Sequence, residues 1–146
     1  MPSELTPDQV LRVIAALEAA WNGDDDALAA LARGGSGEQP LAVLVAEFGE
    51  SRLLKMVLAA TGIDGLEGTE LEQAVAEYRQ SITPHLLGVA SGLMASWAAS
   101  AGEDVRTTGD LARHVLRALL SFTGRDDPEG VRALLAHLRA DALAHS

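Results

Sequence analysis

Apolar residues recur along most of this chain at intervals of three and four residues, a spacing that places them on one face of an α-helix. The first such face contains Val10, Ile14, Leu17 and Trp21. No stretch alternates β-branched and polar residues over the length of a β-strand. The pattern therefore predicts an all-α protein.

Helix starts are indicated by side chains whose oxygens can accept hydrogen bonds from the free N–H groups of a first turn. Thr6 precedes Pro7, which is the combination of an N-cap with a proline at the first helical position. Thr69 and Glu72 have the spacing of a capping box, and Thr107 precedes a further amphipathic segment. Together, these signals predict six to seven helices.

The most apolar segment runs from about residue 84 to residue 101 and follows a second Thr-Pro pair, Thr83–Pro84. It is interrupted by Ser, Gly and His and falls short of the roughly 20 apolar residues of a membrane-spanning helix. A helix that is apolar on every side belongs in the middle of a bundle. We therefore expect an orthogonal or up-down bundle of six to seven helices around this central helix.

The chain has 146 residues, of which 48% are hydrophobic, and its composition is even along its length. These properties predict one helical domain spanning residues 1–146. Residues 34–39 are the only linker-like stretch. We expect this stretch to join an N-terminal helical pair, residues 1–35, to a main bundle, residues 40–146.

The formal net charge of −10 disfavours binding of nucleic acid by this chain alone and binding to anionic membranes. Residues 105–146 differ from the rest because they hold six arginines and only five acidic residues, so they could face an acidic partner. The chain has no cysteine and begins with no recognisable signal peptide. We therefore expect a cytoplasmic location.

Two carboxylates, Glu47 and Glu50, lie one helical turn apart, a spacing suited to a shared divalent cation. The surrounding segment, PLAVLVAEFGESRLLKMV at residues 40–57, resembles the first metal-binding helix of MazG-like nucleotide pyrophosphohydrolases. That resemblance implies magnesium as the cofactor, with Glu47 and Glu50 as ligands. That family has a second acidic pair on the following helix. In this chain only Glu77 matches that pair, because Ala74 occupies the position of its first ligand.

Residues 93–124 are similar in their overall residue pattern to the closing helices of the regulatory domains of TetR-family proteins. This resemblance implies binding of a small ligand and dimerisation through helices. We expect any pocket for an apolar ligand to lie between helices near Met94 and Trp97, with Phe48 and Tyr78 as further lining residues.

Small residues, among them Gly88, Gly92 and Ser96, recur at helical spacing within the apolar segment. Such residues allow another helix to approach closely, either within the chain or across a homodimer interface. The sequence leaves both arrangements open.

His137, Asp141 and His145 fall on one face of the last predicted helix, four residues apart. Imidazole and carboxylate groups at this spacing could bind zinc or nickel, although surface side chains show the same pattern.

Catalytic side chains in recognisable arrangements are scarce, so the sequence favours a non-enzymatic helical domain that binds a protein partner or a small apolar ligand. The alternative is a magnesium-dependent nucleotide pyrophosphohydrolase of the MazG-like type. A third possibility is a structural subunit of an assembly, whose contact surfaces would be the small-residue helix and the arginine-rich face.

Overall fold

The computed structural model describes residues 5–33, 39–125 and 127–144, and within these ranges it contains helices and no strand. A short 3-10 helix, Ile63–Gly65, follows the third helix. The seven α-helices are α1 (Pro7–Trp21), α2 (Asp25–Ala32), α3 (Leu41–Thr61), α4 (Gly68–Gln80), α5 (Thr83–Ala101), α6 (Val105–Leu120) and α7 (Pro128–Ala144). The prediction of an all-α helical bundle is confirmed.

The start of α1 is the one that the sequence predicted. Thr6 is the N-cap, Pro7 is the first helical residue, and Thr6 and Gln9 form a capping box. The N–H of Gln9 donates to Thr6 Oγ1 at 3.2 Å, and the N–H of Thr6 donates to Gln9 Oε1 at 2.9 Å. Two of the free N–H groups at this helix end are thereby satisfied.

The start of α6 differs from the prediction, since the helix begins at Val105 and its N-cap is Asp104. The Asp104 carboxylate accepts the N–H of Thr107 at 3.2 Å and also the Thr107 hydroxyl. These hydrogen bonds, the hydroxyl first, hold the pKa of Asp104 below its ordinary value. Thr107 therefore supports the cap from inside the helix, and its prediction as the N-cap is wrong.

The predicted caps of α4 and α5 are also wrong. Thr69 and Thr83 both lie inside their helices, because α4 begins at Gly68 and α5 begins at Thr83 itself. The N-caps are Glu67 and Ile82, and neither makes a side-chain capping hydrogen bond. Both helices therefore begin without a side-chain cap.

The core lies around α6, which packs against α1, α2, α3, α5 and α7. One side of α6 is buried along its whole length. The buried residues of this helix are Thr108, Gly109, Leu111, Ala112, Val115, Leu116, Leu119 and Leu120. Helix α3 covers α6 from one side and also packs against α5 and α1.

The prediction that the apolar helix at about 84–101 is central is therefore wrong. Among the residues of α5, only Ala98 and Ala101 are buried. Helix α5 packs against α3, α6 and a small part of α4, and the rest of its surface faces solvent. Hydrophobicity shows that a helix can be buried, but the number of neighbours that surround it depends on how the other helices pair.

Two buried glycines allow close contacts in this core. A Cβ atom at Gly49 of α3 would lie 3.0 Å from Met94 Sδ and 3.1 Å from Val115 Cγ2. A Cβ atom at Gly109 of α6 would lie 2.9 Å from Leu28 Cδ2. Both helices thus approach their neighbours at positions where a side chain would collide.

The N-terminal pair, α1 and α2, is joined by Arg12, whose Nε donates to the carbonyl oxygen of Leu31 at 2.9 Å. Both helices also pack against α6, and buried residues of α1 and α2 belong to the same apolar cluster as those of α3, α6 and α7. Most of the predicted linker, residues 34–38, lies outside the described residues.

Candidate functional site

The most unusual surface of the protein is a row of large apolar side chains on the solvent side of α5. We name this row, Ile82, Leu86, Val89 and Leu93, the outer seam. Between 60% and 68% of each of these residues is exposed. Single exposed apolar residues are ordinary on protein surfaces, whereas a contiguous row at this exposure is typical of an interaction site.

The outer seam lies on one face because its residues follow one another at intervals of four, three and four. This is the heptad spacing with which two helices pack side by side. Ser96 and Ser100 continue the same intervals with small polar side chains, and both are exposed. The four apolar positions therefore span the N-cap and the first half of the helix.

A second row on α5 faces the core. We name this row, Leu87, Met94, Ala98 and Ala101, the inner seam. Ala98 and Ala101 are buried, and Leu87 and Met94 are half-buried against the core cluster. The apolar character of α5 on all sides thus comes from two seams, of which the chain itself covers only one.

The charge distribution around the outer seam is equally unusual. Residues 80–102 contain no Asp, Glu, Lys or Arg, and no other part of this acidic chain is free of charged residues over a comparable length. At one edge of the helix the ring of Trp97 lies against that of His114 on α6, with 4.9 Å between the ring centroids. An approaching partner would therefore meet an apolar surface without a formal charge on α5.

The residues predicted to line a ligand pocket lie on three helices, α3, α4 and α5. Phe48 is buried in the core, with the guanidinium of Arg52 5.8 Å from its ring centroid. Met94 fills the space beside Gly49, and Trp97 packs at the edge of α5 against His114. Tyr78 lies on α4, a helix that has no buried residue.

The residues predicted to bind magnesium do not converge. Among the described residues, no group of three or more His, Asp or Glu side chains lies close enough together to hold a metal ion. Glu50 and Glu77 are exposed, and α4, which carries Glu77, packs against α5 and the 3-10 helix. Glu47 is half-buried, and its Oε2 atom is buried without a hydrogen-bond partner.

The predicted transition-metal triad is only partly described. His145 lies outside the described residues. Asp141 makes an ion pair with Arg52 of α3, with 2.8 Å between Oδ2 and Nη2, while His137 is exposed on α7. This contact gives the Asp141 carboxylate a structural role between α3 and α7.

The small residues predicted to form an interface are on the surface. A Cβ atom added at Gly88 or at Gly92 would meet no atom within 4 Å, and Ser96 is exposed. These residues therefore do not serve close packing within the chain, which was one of the two arrangements that the sequence left open.

Two of the six arginines in the C-terminal third, Arg113 and Arg139, contact another helix of the chain. Arg113 Nη1 donates to the carbonyl oxygen of Ala20 at the end of α1 at 3.0 Å, and Arg113 also pairs with Asp110. Arg139 of α7 lies 3.1 Å from Glu18 of α1. The contacts with Ala20 and Glu18 connect α6 and α7 to α1, so Arg113 and Arg139 do not form a free basic surface.

Comparison with known protein families, with curated proteins and with solved structures found no match to this chain. In the described ranges, no helix has the length and apolar character needed to cross a membrane.

The outer seam was not among the features predicted from the sequence. The signal was present, because the intervals of four, three and four begin at Ile82 and coincide with the longest uncharged stretch. This spacing was not interpreted as a surface feature, because the segment was predicted to be a central helix covered on every side.

Proposed function

We propose that this chain is a non-enzymatic helical interaction domain whose outer seam binds an apolar helix of a protein partner. The observation that carries the proposal is the exposure of four large aliphatic residues in heptad spacing on one helix. An amphipathic helix that lays its apolar face against such a row is a recurrent form of protein recognition.

The shape of the surface supports a protein partner over a small apolar ligand. Small-molecule sites are concave and surround most of the ligand. The outer seam lies on a helix surface, and each of its residues is well exposed. A surface of this kind is covered more completely by another helix than by a small molecule.

The size of the surface also supports this function. From their exposed fractions, the four residues present on the order of 500 Å² of apolar surface, which is at the upper end of what monomeric proteins expose. A protein that functions in the cytoplasm, as we propose for this chain, would expose this surface to many other proteins. Covering the outer seam removes that risk of nonspecific association.

The chemistry of the chain supports the same function. The net charge of −10 disfavours nucleic acid as the partner, and the uncharged stretch at residues 80–102 favours an apolar one. Among the described residues, Glu47, Glu50 and Glu77 do not form a three-residue metal site, so magnesium-dependent hydrolysis is not the function that we propose.

Fluorescence of Trp97 tests the proposed function, because this residue lies on the same helix as the outer seam. In a Trp21→Phe background Trp97 is the only tryptophan. We expect its emission to change saturably with a synthetic amphipathic peptide that carries Leu at intervals of four, three and four residues. A peptide of the same composition in scrambled order should have no such effect.

Two variants show whether the peptide binds the outer seam. We expect Leu86→Glu to weaken peptide binding at least about tenfold, since a carboxylate would be placed in an apolar contact. Leu143→Glu is the matched control, because Leu143 is an equally exposed leucine on α7, at 61% compared with 60% for Leu86. A monomeric chain whose Trp97 emission does not respond to the peptide would contradict the proposed function.

A further inference from the structure

We infer that the partner of the outer seam is the outer seam of a second copy of this chain, in an antiparallel arrangement around a twofold axis. This inference rests on the proposed function and names its partner. It is carried by the symmetry of the spacing, by the charge distribution and by the area that a dimer would bury.

The spacing of the outer seam is the same in both directions along the helix. The intervals of four, three and four read identically from Ile82 to Leu93 and from Leu93 to Ile82. In an antiparallel pair of α5 helices, Leu86 of one copy would lie opposite Val89 of the other, and Ile82 opposite Leu93. A twofold interface requires this kind of self-complementary surface.

The charge distribution permits the approach of two copies at this face. Two chains with a net charge of −10 repel each other, and the repulsion is strongest where carboxylates face carboxylates. The positions beside the outer seam are also uncharged, being His85, Gly92 and Ala99 on one side and Thr83, Ala90 and Trp97 on the other. Two α5 helices can therefore meet without like charges opposite each other.

The area approaches that of a stable dimer. Complete burial of the eight outer-seam residues of two copies would remove about 1,000 Å² from solvent, and the small residues beside them would add to this. Stable interfaces bury roughly 1,200–2,000 Å² in total. Small residues such as Gly92 and Ser96 would let the two helices come close together, which increases the area buried.

A dimer of this kind also accounts for the composition of α5. The sequence predicted that this segment lies in the middle of a bundle, whereas the single chain leaves one side of it in solvent. In the dimer the inner seam packs against α3 and α6 of its own chain and the outer seam against the second copy. The helix is then covered on both apolar sides.

Sedimentation equilibrium of the full chain tests the association. We expect a mass of twice 15.2 kDa at micromolar concentration. Leu86→Glu should weaken dimerisation by about a hundredfold or more, because each interface would contain two carboxylates in apolar contacts, and Leu143→Glu should leave it unchanged. Ile82→Glu is a second variant with the same expected effect. Both residues are exposed in the single chain, so we expect the two variants to fold. Circular dichroism checks this.

Disulfide cross-linking tests the orientation, and the absence of cysteine from the chain removes any background. An antiparallel pair places Ile82 opposite Leu93, whereas the two Ile82 positions lie about 16 Å apart along the helix axis. We therefore expect an equal mixture of the Ile82→Cys and Leu93→Cys chains to form the mixed disulfide. Each variant alone should cross-link poorly, and efficient cross-linking of each variant with itself would indicate a parallel pair and overturn the arrangement.

The outcomes separate this inference from the proposed function. A chain that is monomeric at all concentrations and still binds the amphipathic peptide overturns the second copy as partner and leaves the function standing. A monomeric chain that binds no peptide overturns both, as does a dimer that persists in both Glu variants and binds no peptide. Binding of the monomer to phosphatidylcholine vesicles, lost in Leu86→Glu, would identify a lipid surface as the partner and overturn the dimer.

Discussion

Helices α5 and α6 are consecutive, similar in length and opposite in character. Helix α5 has no charged residue and is mostly exposed, whereas α6 carries four charged residues and provides the centre of the core. The reason is that α6 has one continuous apolar face that five other helices cover, while α5 has two apolar faces and neighbours for one. High hydrophobicity with low burial is therefore the property on which the proposed interaction surface rests.

The largest difference that we expect between the two helices is in the effect of truncating a leucine. Leu116→Ala on α6 removes a fully buried side chain and should lower the free energy of unfolding by about 3 kcal/mol. Leu86→Ala on α5 should lower it by less than about 0.5 kcal/mol. Urea unfolding at the lowest workable protein concentration measures both, because association then contributes little. Equal losses of unfolding free energy in the two variants would contradict the position of α5 at the edge of the bundle.

A second test compares glycines that face α6 with glycines on the open side of α5. Gly49→Val should destabilise the protein by about 2 kcal/mol, because Met94 and Val115 already occupy the space that the new side chain needs. Gly92→Val meets open space and should stabilise the monomer by up to about 0.5 kcal/mol through helix propensity. Thermal unfolding of the two variants in parallel checks the opposite signs.

A smaller effect is expected for the polar contacts that hold α6 in place. Arg113→Met removes the hydrogen bond to the carbonyl oxygen of Ala20 and should destabilise the protein by about 1 kcal/mol. Arg117→Met, at an exposed position on the same helix, should change the stability by less than about 0.5 kcal/mol. If urea unfolding shows the same small change for both, the contact between α6 and α1 does not stabilise the fold.

The smallest effect concerns the N-cap, since α6 has a capping carboxylate and α5 has none. The pKa of Asp104 is lowered chiefly by the Thr107 hydroxyl. A lowered pKa stabilises the folded state above the ordinary pKa of Asp, and this contribution is lost as the pH falls through the lowered value. We therefore expect the melting temperature of Asp104→Asn to fall less than that of the parent chain below about pH 4.

Carboxyl NMR titration provides the matching control for the N-cap. Thr107→Val should raise the pKa of Asp104 toward its ordinary value, because the hydroxyl donor is lost. In the same spectra Asp127, whose pKa is lowered chiefly by the N–H of Gly130, should keep its value. If the pKa of Asp104 is unchanged in Thr107→Val, the Thr107 hydroxyl is not the cause of the lowered pKa.

The candidate site could have been predicted from the sequence only in part. The intervals from Ile82 to Leu93 and the absence of charge around them are visible in the chain. Whether that row lies against another helix of the same chain or in solvent cannot be deduced from them, since an inner and an outer seam have the same spacing. That Glu77 does not join Glu47 and Glu50 in one group was equally inaccessible, because it depends on which helices pair.

The sequence by itself determined the helical class, the number of helices and the start of α1, because each depends on interactions within a few residues. The capping box of Thr6 and Gln9 is such a local interaction. The apolar face of α6 likewise follows from the spacing of residues within that helix. Only the tertiary structure decided that α6 is central and that α5 lies at the edge. That choice depends on contacts such as those of Gly49 and Gly109 with residues far away in the chain. It is these distant contacts that leave the outer seam exposed.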